Sequence, residues 1–140
     1  MKPLLPSLLF TALALTACAT ATRAPTAASS SIAGRHWALV EVDGHPITPG
    51  PHEAYMVLDA GANRYSASGG CNGLGGAFQL LPGDHIHFSQ GMHTMMACQT
   101  GMDTEGAFSR ALERADSYAV DGDMLTLGAN GTPLARFQAR

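Results

Sequence analysis

Turn signals punctuate this chain from residue 43 onward, and they restrict what it can fold into. Asp43-Gly44, Gly61-Ala62-Asn63, Pro82-Gly83-Asp84, Asp121-Gly122-Asp123 and Asn130-Gly131 recur between short apolar runs. Such residues supply the left-handed backbone angles that tight hairpins need. The runs between them are rich in aromatic and β-branched residues and alternate in polarity. His36–Val42 reads as a strand. His45-Pro46-Ile47 reads as a short edge segment, blunted by proline. Ala54–Asp59 and Arg64–Ser68 form one hairpin, and Ala77–Leu81 with His85–Ser89 another. Residues 117–120, 124–127 and 134–139 are three further strands. Gly69–Gly76 reads as a glycine-dense loop. The expected fold is mainly β (α+β): a small antiparallel sheet that curls strongly or closes like a barrel.

One helix is expected, at about residues 103–115. Asp103 or Thr104 is placed to cap it, and Glu105 favours its positive N-terminal end. Ala107, Phe108, Ala111, Leu112 and Ala115 fall on one face. Glu105, Ser109, Arg110, Glu113 and Arg114 lie largely on the other.

The first 17 residues read as an export signal. Lys2 gives the positive start, Leu4–Leu15 an apolar run broken at Pro6, and Ala14, Thr16 and Ala17 the small residues a peptidase needs. The run is too short to stay as a membrane span. Leu15-Thr16-Ala17-Cys18 resembles a bacterial lipobox. That resemblance implies a diacylglyceryl group on the Cys18 thiol and cleavage that makes Cys18 the first mature residue. Several acyl chains hold more firmly than one, each buried methylene adding about 0.8 kcal/mol. An ordinary secretory signal cut near Ala17-Cys18-Ala19 is the alternative. Ala19 points toward outer-membrane sorting, facing the periplasm. Residues 18–33 are small, hydroxylated and nearly uncharged, and read as a flexible tether. The domain proper is expected over 34–140.

Lys2 is the only lysine, so the mature chain carries seven arginines against eleven acidic residues and has no basic run. A phosphate-backbone binder needs such a run, which argues against nucleic acid as a partner. The expected contacts are the membrane, through Cys18, and an envelope protein. The domain is expected to be monomeric.

Cys71 and Cys98 remain once Cys18 is acylated, and export puts them in an oxidising compartment. Disulfide pairing is the leading reading. Free buried thiols and a metal pair are the alternatives, and no C-x-x-C spacing suggests redox catalysis. Closing the loop would add roughly 3–4 kcal/mol on a chain-entropy argument. Asn72 reads as a turn residue that bonds its own backbone. The glycines around it lack the ending of a phosphate loop.

Met92, His93, Met95, Met96 and Met102, with Cys98, form a candidate Cu(I) cluster, because thioether and thiol ligands select that ion. Packing is the competing account, since methionine fills irregular core gaps. His85 and His87 share one side of a strand beside Asp84 and are candidate zinc ligands, or simply a solvated face. No cofactor and no catalytic set is expected. There is no Gly-x-Ser-x-Gly elbow or Ser-x-x-Lys.

Trp37-Ala38-Leu39, Tyr65-Ser66-Ala67-Ser68-Gly69-Gly70-Cys71-Asn72 and Thr94-Met95-Met96-Ala97-Cys98 occur in this order. Glu105, Phe108–Leu112, Tyr118-Ala119-Val120 and Leu125-Thr126-Leu127 follow. Over residues 34–138 this pattern resembles the META-domain, or HslJ-like, family of heat-shock lipoproteins. Gly69, Gly70, Cys71 and Asn72, taken with Thr94 and Cys98, are its most specific part. The resemblance implies a barrel-like β-fold with a helix, an exported and often lipid-anchored chain, and an association with envelope stress. It implies no enzymatic activity. The His/Pro-rich stretch His45–His52 departs from the family pattern and leaves the first connection of the sheet undefined.

Overall fold

A computed structural model describes residues 32–140 except Gln90. Residues 1–31 lie outside it, including the expected signal, Cys18 and most of the tether. Ten strands and one helix follow in chain order: β1 (His36–Val42), β2 (His45–Pro46), β3 (Ala54–Asp59), β4 (Arg64–Gly69), β5 (Gly73–Leu81), β6 (His85–Phe88), β7 (Met92–His93), α1 (Met102–Arg114), β8 (Ser117–Asp121), β9 (Met124–Ala129) and β10 (Thr132–Ala139). Eight of them close an antiparallel barrel in the order β1-β3-β4-β5-β6-β8-β9-β10, with β10 returning to β1. The expected hairpins form, including Phe78 opposite Phe88 and Met56 opposite Ala67.

The turns explain the tight returns. Asp43 and Gly44 both have positive φ (48° and 78°), as do Asn130 and Gly131 (49° and 78°). These are the left-handed pairs that match hairpin twist. Along β3, Ala54, Met56 and Leu58 point inward; along β9, Leu125, Leu127 and Ala129 do so. Register shifts on β1 at Val40 and on β10 at Leu134 bend these two strands as they meet.

Trp37 is fully buried and donates from Nε1 to the Ile32 carbonyl at 2.8 Å. Arg35 lies 4.7 Å above the Trp37 ring and pairs with Asp123. Ile32 is itself fully buried. Ile32 and Ala33, expected in the tether, pack on the core.

Two local expectations are corrected. The glycine-dense stretch is a loop only to Asn72, because β5 begins at Gly73. Gly76 makes room for Tyr65: a β-carbon there would stand 2.7 Å from the Tyr65 ring. The N-terminal half of β5 also pairs with β7, a two-residue strand that its length hides from any periodicity argument. The helix takes Gly101 (φ 89°) as its N-cap, with no side-chain cap from Asp103 or Thr104. Both lie inside the first turn, and the first helical bond runs from Glu105 N–H to the Gly101 carbonyl. Phe108, Ala111 and Leu112 form the buried face as expected, and Phe108 meets Phe137 with ring centres 5.6 Å apart.

The barrel has one thin seam. β6 and β8 share a single register pair, His85 with Ser117. Asp116 reinforces it. Its carbonyl accepts from Ile86 N–H and from His85 Nδ1, and its N–H donates to Gly128. Its carboxylate accepts from Asn130 N–H at 3.0 Å and from Ser117 Oγ at 2.8 Å. The Asn130 amide first, then the Ser117 hydroxyl, hold this carboxyl below its ordinary range. A lowered folded-state value contributes stability above the unfolded value of about 3.9, and that contribution disappears as pH falls through the folded value. Asp116→Asn should therefore unfold at lower urea than the wild type at pH 7. The gap should close below about pH 4, measured by urea titrations at stepped pH.

Candidate functional site

The residues that carried the family resemblance converge on one end of the barrel. Cys71 and Cys98 form a disulfide with Cα atoms 5.9 Å apart. Neither is therefore a thiolate available to a metal. Asn72, only 4% exposed, is the sole buried polar or charged residue among the described residues. Its role differs from the expected self-contained turn. Its Oδ1 accepts from Met96 N–H at 2.7 Å and from Thr94 Oγ1 at 2.9 Å. Its Nδ2 donates to the Met96 carbonyl at 3.2 Å and to Glu105 Oε1 at 3.1 Å. Its backbone N–H donates to Glu105 Oε2 at 2.6 Å. Gly70 takes the left-handed conformation here, with φ of 97°.

Three separate pieces of chain are thus joined through one amide: the end of β4, the 94–96 segment and the first turn of α1. Thr94 adds a second tie, since its Oγ1 accepts from Gly73 N–H and its N–H donates to the Gly73 carbonyl. The helix can approach only because Gly69 has no side chain. A β-carbon there would overlap the Glu105 backbone, 2.8 Å from its nitrogen. Glu105 was legible as a favourable residue at a helix start; its grip on Asn72, 33 residues away, was not.

The methionines lie on the outside of this clamp. Met92, Met95, Met96 and Met102 are 82%, 90%, 57% and 51% exposed. Core packing is therefore not their role, and Met56 is the methionine that fills the core. His93 is exposed beside Met92 on β7. His85 and His87 sit on the outer face of β6, away from the buried Ile86 and Phe88. Among the described residues no three His, Cys, Asp or Glu groups are gathered to hold a metal, so His85 and His87 with the adjacent Asp84 are not brought together as a zinc set. The His/Pro stretch becomes a loop that runs from β2 to β3. Ile47 N–H donates to the Val40 carbonyl, and the loop walls a groove of about 870 Å³ beside Gly70 and the helix start.

These features define a small closed antiparallel barrel with one covering helix and a surface segment fixed by a disulfide and a buried amide. The META domain family model matches residues 30–140, and the chain belongs to that family. Its fold is similar to that of a protein from Burkholderia xenovorans solved by NMR. The two are 24% identical with a TM-score of 0.66, over 81% of this chain and 87% of that one. A DUF4847 family protein from Bacteroides vulgatus is 18% identical with a TM-score of 0.57, over 79% of this chain and 95% of that one. No curated protein sequence matches the chain significantly.

Asn72→Ala should leave Met96 N–H, the Met96 carbonyl and one Glu105 oxygen without their protein partner. The expected cost is about 3 kcal/mol, read from denaturant midpoints with the disulfide intact. Glu105→Gln keeps the shape and removes the charge, so a smaller loss is expected.

Proposed function

We propose that this chain is an exported, lipid-anchored, non-enzymatic module of the bacterial cell envelope. In this reading Cys18 holds it to the outer membrane, and the domain engages another envelope component under stress. The observation that carries the reading is the exposure of four methionines on a segment that is held rigidly from beneath. Exposed apolar side chains gathered on one fixed surface are a common mark of an interaction site. Methionine in particular suits surfaces that adapt to a partner. Rigidity matters because a segment already ordered loses less entropy on binding. The Leu15–Cys18 motif supports the anchor. The Cys71–Cys98 bond suits an oxidising compartment.

A second reading rests on the same exposure. Met92, Met95, Met96 and Met102, with His93, form a soft-ligand surface fit for Cu(I), without any contribution from Cys98. The two readings part in solution. A Cu(I) handler should compete with a chromogenic chelator for the ion, and Met92/Met95/Met96→Leu should abolish that competition. An interaction module should show no competition.

Intact-mass analysis of membrane-fraction protein tests the anchor. The expected species begins at Cys18, carries acyl additions there and lacks two hydrogens at Cys71 and Cys98. An untrimmed cytosolic chain with titratable thiols would refute the proposal. Envelope crosslinking tests the binding surface. Met95→Glu with Met96→Glu should remove a reproducible crosslinked partner while leaving thermal unfolding unchanged.

A further inference from the structure

A second concavity lies where β4, β5 and β6 pass beneath the C-terminal half of α1, and Met92 and His93 of β7 form part of its wall. It encloses about 270 Å³. That is just below the volume typical of sites for drug-sized molecules, so its occupant would be small. The floor is aromatic and aliphatic. Tyr65 and Phe88 meet edge to face with ring centres 5.2 Å apart, flanked by Leu74 and Leu112. Tyr65 is 7% exposed. Its hydroxyl takes no hydrogen-bond partner among the described residues. A β-carbon on Gly91 would stand 2.7 Å from that hydroxyl, so only the bare backbone there leaves it room.

The lining holds one carboxylate, and the His93 imidazole also borders it. Glu113 projects to the rim from the last turn of the helix, and Ser89 and Ser109 add hydroxyls. The Glu113 carboxylate makes no salt bridge among the described residues, whereas Glu41, Glu53 and Asp123 do. Burial, and then the negative field of Glu113, push the Tyr65 phenol above its ordinary value, with Arg64 opposing. The phenol therefore stays protonated at neutral pH and remains a hydrogen-bond donor. Aromatic faces attract a cation and an apolar body alike. An unpaired carboxylate at the mouth selects positive over negative charge. Acidic rim, aromatic floor and small volume together describe a receptor for a compact organic ammonium ion.

We propose that the cavity between Tyr65, Phe88 and Glu113 binds a small primary amine carrying an apolar or aromatic body, its ammonium on Glu113 and its body on the two rings. This site adjoins the methionine surface, with which it shares Met92 and His93.

The test uses the full chain in detergent, with three probes of one shape: benzylamine, benzyl alcohol and benzoate. Ligand-observed and ring-proton NMR should show saturable benzylamine binding that perturbs Tyr65 and Phe88. Benzyl alcohol should bind about tenfold more weakly, the scale of one charge-assisted hydrogen bond, and benzoate weaker still. Glu113→Gln lies on an exposed helix face and should fold normally. It should reduce benzylamine to the affinity of benzyl alcohol and leave the alcohol unchanged. Ser109→Phe should fill the space and weaken amine and alcohol alike. Equal affinity for all three probes would overturn the proposal, as would benzylamine binding that Glu113→Gln does not alter or that leaves the Tyr65 and Phe88 signals unmoved.

Discussion

A buried carboxamide must find partners for both of its ends, and Asn72 does so by reaching into two other pieces of chain at once. The penalty for leaving such a group unpaired in a dry interior exceeds the gain from any one of its bonds. That asymmetry makes the arrangement cooperative. Moving the 94–96 segment strands the amide oxygen, and moving the helix strands part of the amide nitrogen. The disulfide acts beside it by a different route. It limits the unfolded chain, whereas Asn72 selects one folded geometry. Gly69 is the steric condition for the Asn72–Glu105 contact, because it lets the helix start lie against the strand end.

The barrel frames that clamp. Its inward positions follow the alternation of each strand, with Trp37, Phe137, Leu125 and Leu127 fully buried at its centre. The helix covers the opening with Phe108 and Leu112. Closure is uneven. β9 and β10 share a long ladder, while β6 and β8 meet at one pair and depend on Asp116 for additional bonds. Local opening concentrates where buried apolar contact and ladder bonds are fewest, which places it at this seam.

Most of the architecture could be read from residue order. Asp43-Gly44 and Asn130-Gly131 announce their hairpins because few other dipeptides accept their backbone angles. Ile86 and Phe88, alternating with histidines, give the inner and outer faces of β6 directly. The helix face was legible for the same reason, since Phe108, Ala111 and Leu112 repeat at its period. The failures have physical causes. Gly73, Gly75 and Gly76 look like loop residues, and the use of Gly76 in β5 depends on the Tyr65 ring, which local sequence does not reveal. Gly101 displaced the expected caps because it packs against Gly70, a long-range contact. The Asn72–Glu105 bond and the Tyr65–Glu113 concavity join residues far apart in the chain, and no spacing rule relates them. The methionines were equally ambiguous, since composition cannot distinguish a core filler from an exposed one.

The pairing of β1 with β10 has a temporal consequence. Trp37 lies opposite Ala139, and Leu39 opposite Phe137, so the cylinder joins the two extremes of the domain. A ribosome or a membrane pore delivers the amino end first. Until the final residues emerge, β1 has no β10 beside it and the nascent domain has an open edge. Sealing the cylinder thus waits on β10, and a chain broken within that strand would hold an unsealed sheet in place of a slightly shorter domain.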